Sequence, residues 1–180
     1  MMLVKENFWT IPNLISILRI VFVPYFAYLI YINKVKEASV VFLIMAVSDF
    51  FDGYLARKLN QISRLGKILD PLADKLAIIV AIFIVGVFSS NYYVPEYFVI
   101  IILLKESYIL VGIAVLFMFR RKLVVNTYFI GKVTMFLEYL AVVIYLINAY
   151  FSIPFIIINT VYILTSISAV LSIIIYTLKN

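Results

Sequence analysis

The stretch 48-SDFFDGYLARKLNQISRLGKILDPLADK-75 decides the fold, because it sets four carboxylates between two apolar segments. The chain is 66% apolar and has only nine acidic residues, and Asp49, Asp52, Asp70 and Asp74 all fall here. Asp49 and Asp52 are three positions apart and Asp70 and Asp74 four, so each pair shares one face of a helix. The first pair closes one apolar helix, and the second opens the next. A hairpin between them brings two carboxylates from each helix to one depth. An Asp at the bilayer centre costs ~2.5–3.5 kcal/mol on an insertion scale, and less near a helix end. Four ionised carboxylates also repel one another, a repulsion that cations relieve, and hard oxygen donors suit Mg²⁺ or Mn²⁺. Carboxylate clusters that hold two metals about 4 Å apart serve phosphoryl-group displacement. Helix capping covers only part of the pattern. Asp70 before Pro71 reads as an N-cap with proline at the first helical position. Asp49 and Asp52 instead sit at a helix C-terminal end, where the dipole disfavours negative charge. Gly53 and Ala56 leave the same helix face bare enough for a bulky group, and Gly66 clears the facing side.

The rest of the chain supplies the membrane context. A mean hydropathy of +1.16 with 13% charged residues marks a polytopic membrane protein rather than a soluble domain. Six apolar spans are expected, near residues 11–32, 38–57, 71–89, 94–119, 125–150 and 153–178. The expected fold is therefore all-α: six transmembrane helices in one bundle, forming a single domain over residues 1–180. Arg57, Lys58, Arg64, Lys67, Arg120, Arg121, Lys122, Lys5 and Lys179 fall on one side and only Lys34 and Lys36 on the other. That asymmetry places both termini in the cytoplasm. The net charge of +6 reflects this loop bias and anionic lipid, not nucleic acid. The opening MMLVKENFWT lacks the apolar core and cleavage site of a removable signal. With no cysteine and no histidine, a general base or metal ligand must come from carboxylates, amines, phenols or amides.

Asp49, Asp52-Gly53, Ala56-Arg57, Gly66, Asp70 and Asp74 fit D-x2-D-G-x2-A-R-x8-G-x3-D-x3-D without departure. In this the chain resembles the CDP-alcohol phosphotransferases, integral membrane enzymes of phospholipid synthesis. TIPNLISILRI and LDPLADK look like the bacterial phosphatidylglycerophosphate synthases within that family. The resemblance implies that Asp49, Asp52 and Asp70 ligate two divalent metals, Mg²⁺ or Mn²⁺. It makes Asp74 a ligand of the second metal and the general base on the acceptor hydroxyl. Gly53, Ala56, Arg57, Ser63 and Gly66, with Asn13 from the N-terminal segment, match positions on the CDP side of the donor. The implied reaction moves the phosphatidyl group of CDP-diacylglycerol to glycerol 3-phosphate, releasing CMP. A homodimer in the cell (inner) membrane, with its active site facing the cytoplasm, is also implied.

The acceptor is less sharply written. Arg19, Lys75, Lys105 and Lys132 are cations inside apolar spans, and intramembrane cations are functional candidates by default. Arg19 is within snorkelling reach of the interface, and Lys75 balances the acidic cluster on a structural reading. Internal pairing of Lys105 with Glu106 and of Lys132 with Glu138 is the structural alternative for those two. As acceptor ligands, Lys105 and Lys132 would act with Arg120 and Arg121 to dock an anionic group. The resembling synthases usually carry Arg-Glu where this chain has Lys105-Glu106, which leaves phosphatidylglycerol as a rival acceptor, giving cardiolipin. Inositol phosphate or serine fits less well. A cation channel or transporter is the rival class, but it calls for carboxylates near the midplane rather than clustered at one helix end.

Overall fold

The computed structural model describes residues 10–58, 66–88, 93–118 and 129–179, with the side chains of 11–12, 49–58, 66–71, 113–118 and 179 outside the described set. All regular structure among these residues is helical: α1 Ile11–Tyr31, α2 Val35–Lys58, α3 Gly66–Phe88, α4 Glu96–Met118, α5 Phe129–Ile147 and α6 Phe155–Lys179. Lengths of 19 to 25 residues correspond to about 28–38 Å at 1.5 Å per residue, enough to cross a hydrocarbon core. Among the described residues, Asn13–Tyr31, Phe129–Ile147 and Phe155–Leu178 are long and apolar enough to span a membrane. Helices α2, α3 and α4 carry much of the charge that falls within helices, including Asp49, Asp52, Asp70, Asp74, Lys75, Lys105 and Glu106.

Six helices stand where six spans are expected, three of them with the length and apolarity of a membrane span, and the largest shifts are at the starts of α2 and α3. Helix α2 begins at Val35, so Lys36 and Glu37 lie in its first turn. Helix α3 begins at Gly66, not at Pro71, so Asp70 is an internal residue of the first turns and does not cap the helix. Pro71 removes one backbone donor there, a loss that membrane helices tolerate where neighbouring groups serve the freed carbonyl.

The chain forms two compact units, residues 1–81 and 82–180. In the first, α1 and α2 form a tight antiparallel hairpin. Thr10 caps α1 by accepting from the Asn13 N–H at 3.4 Å, and Pro12 fits the first turn, where its missing N–H has no helical partner anyway. At the other end Asn33 adopts φ 59°. Its N–H donates to Ile30 O at 2.9 Å, and the Lys34 N–H donates to Leu29 O at 2.9 Å. This is a Schellman stop, and asparagine tolerates the left-handed conformation that it requires. Val23, Phe26 and Ile30 then meet Ala38, Phe42 and Met45 in a buried seam, with the Phe26 and Phe42 rings 5.7 Å apart. The opposite faces stay apolar, with Leu18, Val21 and Tyr25 on α1 and Val40, Leu43 and Val47 on α2 exposed. Apolar residues all round a helix suit a lipid surround.

The second unit packs α6 against α4 and α5. Tyr97 donates to Asn159 Oδ1 at 3.4 Å, and the Tyr108 and Thr177 hydroxyls lie 3.1 Å apart. These contacts run in the same chain direction, so α4 and α6 are parallel. Thr134 Oγ1 lies 2.8 Å from Ile130 O and 3.1 Å from Ser168 O, while Thr165 Oγ1 donates to Leu137 O at 3.4 Å. Those pairs run in opposite directions, so α5 and α6 are antiparallel. Buried Ser168, Ala169 and Ser172 let the two backbones approach closely. The end of α3 meets the start of α4 at Gly86, where an added Cβ would overlap the Val99 side chain. Val99 is β-branched and stiff, so it has little room to yield.

Gly86→Ala should therefore destabilise the protein by about 1–3 kcal/mol, the usual cost of overpacking. Thermal unfolding in detergent will measure this, and Val99→Ala in the same chain should restore part of the loss. An unchanged melting temperature in Gly86→Ala would show that this contact is not tight.

Candidate active site

The last turns of α2 carry Asp49, Asp52, Gly53, Ala56 and Arg57, and the first turns of α3 carry Gly66, Asp70 and Asp74. All lie within the first compact unit. The side chains of every one except Asp74 lie outside the described residues, as do Ser63, Arg120 and Arg121 altogether. The structure shows Asp74, Asn13, Lys105 and Lys132 of the expected site residues, together with Arg19 and Lys75.

Asp74 is the informative one. Its side chain is 20% exposed, and Arg19 Nη1 donates to its Oδ1. Arg19 itself is 2% exposed. It lies eight residues beyond Ile11, about 12 Å along α1, and it turns inward to the carboxylate instead of snorkelling to the interface. Arginine does not shed its proton in a protein. At that depth an opposite charge is therefore the effective way to offset its burial, and the aspartate supplies it. Lys75, the next residue, is also buried.

On α1 the structure adds Ser16 to Asn13 and Arg19, both already singled out in the sequence. Asn13, Ser16 and Arg19 are all buried and lie at spacings of three on the stripe that continues as Val23, Phe26 and Ile30. The inward face of α1 is thus polar in its first turns and apolar beyond. The signal available in the sequence was the recurrence of polar residues every third position inside an apolar span.

In the second unit, Lys105 reaches both acids near it. Its Nζ donates to Glu106 and, at 2.9 Å, to Glu138 Oε1. Lys105 is 1% exposed and both glutamates are fully buried. This corrects the expected pairing of Glu138 with Lys132, since Lys132 is exposed on α5. Glu138 lies six residues after Lys132, on a different face of α5, and that face meets Lys105. The described geometry thus ties Lys105 into a link between α4 and α5 and leaves Lys132 on the surface.

The profile of the CDP-alcohol phosphatidyltransferases matches residues 9–175. The chain belongs to this family. A relative from Aquifex aeolicus is 33% identical over 178 residues, covering 94% of this chain and 95% of that protein. One from Escherichia coli K12 is 38% identical over 80 residues, 43% of this chain and 44% of that protein. One from Wigglesworthia glossinidia is 32% identical over 87 residues, 47% and 48% of the two chains. All three are named CDP-diacylglycerol–glycerol-3-phosphate 3-phosphatidyltransferase. As a CDP-alcohol phosphatidyltransferase, the chain is a membrane transferase of phospholipid biosynthesis. The expected enzyme class is thus shown by the family and by the names of these relatives.

Divalent metal is general in this family. The donor chemistry here fits it. The Asp74 carboxylate already holds a cation, as an ionised oxygen donor does, and the three further acids of the motif occupy the turns nearest the link between α2 and α3. Carboxylate oxygens are the ligands that Mg²⁺ and Mn²⁺ select.

Removing the lysine from the α4–α5 link would leave two acids buried without their cation. Lys105→Met should cost about 3–5 kcal/mol of stability, and Lys105→Arg much less. Thermal melts of the two variants in the same detergent test this, and equal melting temperatures would show that the ion pairs do not hold α4 to α5.

Proposed function

We propose that the chain transfers the phosphatidyl group of CDP-diacylglycerol to the hydroxyl of glycerol 3-phosphate, giving phosphatidylglycerophosphate and CMP. The observation that carries this reading is the complete acidic motif, which falls at the end of α2 and the start of α3 in the sequence. End-to-end similarity to a relative named for that reaction supports it. Residues 1–180 act as one domain, with six helices crossing the cell (inner) membrane and both termini cytoplasmic. A homodimer rests on family membership alone.

In this reading Asp49, Asp52, Asp70 and Asp74 would hold two divalent metals, Mg²⁺ or Mn²⁺. When bound, the metals offset the negative charge of the pyrophosphate and of the departing CMP. Asp74 accepts the proton of the acceptor hydroxyl as its oxygen bonds to the β-phosphorus and the bond to CMP breaks. Arg57 pairs with donor phosphate charge. Gly53, Ala56 and Gly66 keep the backbone open to the nucleotide, Ser63 offers it a hydroxyl, and Asn13 serves the same side from α1. A groove of about 500 Å³ between α1 and α2, walled by Ile15, Leu18, Phe22, Leu43 and Val47, suits an acyl chain of the donor. Lys132, Arg120 and Arg121 dock the acceptor's phosphate, and Lys105 supports them by holding α4 to α5.

Purified protein with CDP-diacylglycerol and Mg²⁺ should release CMP when glycerol 3-phosphate is added. Chelation should stop release, and Mg²⁺ or Mn²⁺ should restore it. Release with phosphatidylglycerol as sole acceptor would overturn the acceptor assignment in favour of cardiolipin synthesis. Asp74→Asn should lower kcat by about 10²–10⁴-fold, the usual contribution of a general base, with donor binding largely kept. Near-normal turnover would remove Asp74 from that role.

A further inference from the structure

We infer that Arg19 is the internal counter-ion of Asp74, and that a divalent metal must displace it to take that carboxylate. The inference rests on the reading above in which Asp74 is a metal ligand. It identifies a residue outside the acidic motif that sets how readily the metal enters.

The observations are the contact and its surroundings. Arg19 Nη1 donates to Asp74 Oδ1 from a side chain that is 2% exposed, while Asp74 is 20% exposed. The arginine is thus the more enclosed of the two, and the carboxylate is the side open to an incoming ion. Asn13 and Ser16 line the same inward stripe of α1, so polar groups accompany Arg19 along the face it presents. Arg19 also lines the apolar groove between α1 and α2, at whose wall Ser48 stands next to Asp49 in the chain.

Electrostatics gives the direction of the effect. A carboxylate buried beside hydrocarbon is poorly solvated, and a fixed cation beside it offsets that penalty without metal. A dication arriving at the same carboxylate meets both a competitor for its oxygen and a like charge within a few ångströms. Arginine cannot relieve this by deprotonation, so it must move aside. The metal's apparent affinity falls by the fraction of time that Arg19 occupies the ligand. In return, the acidic end of the hairpin carries less uncompensated charge while metal is absent. Arg19 is in this sense a positioning residue that acts through Asp74.

The test is Mn²⁺ affinity, measured by electron paramagnetic resonance on the purified full chain without donor or acceptor. Arg19→Gln should bind Mn²⁺ about five- to tenfold more tightly than wild type, because the competing state is gone. Arg19→Lys, which keeps the charge, should stay within about twofold of wild type if the competition is ionic. In an Asp74→Asn background, Arg19→Gln should change Mn²⁺ affinity much less than it does with Asp74 present, because the competition is gone and only the repulsion of a like charge remains. Equal or weaker binding in Arg19→Gln, or no Mn²⁺ binding to the wild type, overturns the inference. Should Arg19→Gln fail to fold, the wild type labelled with ¹⁵N-arginine decides the matter. Its Arg19 guanidinium resonance, identified by its loss in Arg19→Lys, should shift on Mg²⁺ addition, and an unmoved resonance overturns the inference. CMP release from CDP-diacylglycerol with glycerol 3-phosphate, run on the same wild-type preparation, separates the two levels. Normal release with unaltered Mn²⁺ affinity in Arg19→Gln defeats this inference alone. Tighter binding in that variant without CMP release defeats the proposed reaction alone.

Discussion

Charge placed among apolar helices has to be answered by charge, and that requirement organises both compact units of this protein. In the first, Arg19 on α1 answers Asp74 on α3. In the second, Lys105 on α4 answers Glu106 beside it and Glu138 on α5. Lipid gives little hydrophobic reason for one apolar helix to prefer another, so small residues, close packing and polar links decide which faces meet. The buried ion pairs fix rotation about the helix axis more firmly than apolar side chains do, since a helix turned by one residue would leave a charge unanswered.

The six helices were legible because hydrophobic runs of spanning length are a one-dimensional signal. Their ends were less so. Asp70-Pro71 carries the local chemistry of a helix start, yet α3 begins a turn earlier at Gly66. A proline that removes one backbone donor near a helix entrance is a weaker stop than its sequence context suggests. Asn33 carried no such signal either, although it ends α1 through its left-handed backbone.

The candidate site divides in the same way. The motif from Asp49 to Asp74 was legible because its residues are close in sequence and lie on two successive helix ends. The partners of its members were not. Arg19 lies 55 residues before Asp74, and Glu138 lies 33 residues after Lys105. Sequence proximity favoured Lys132 as the partner of Glu138, but packing rotates Lys132 outward. Long-range pairing depends on how the helices turn toward one another, and periodicity within one helix does not contain that.

The three residues between α1 and α2 have a mechanical consequence. Tyr31 ends one helix and Val35 begins the next, and the turn between them is closed by the Asn33 N–H donating to Ile30 O and the Lys34 N–H to Leu29 O. The hairpin is therefore a pair of tweezers pivoted at Asn33, and the groove holding Arg19 and Ser48 lies toward its free tips. Arg19 is about 18 Å of helix from the end of α1 at Tyr31. A small angular change at the pivot becomes a displacement several times larger at the groove. A lipid chain seated between the arms would therefore act on the position of Arg19 on α1 relative to Ser48 on α2, the two residues that share the groove.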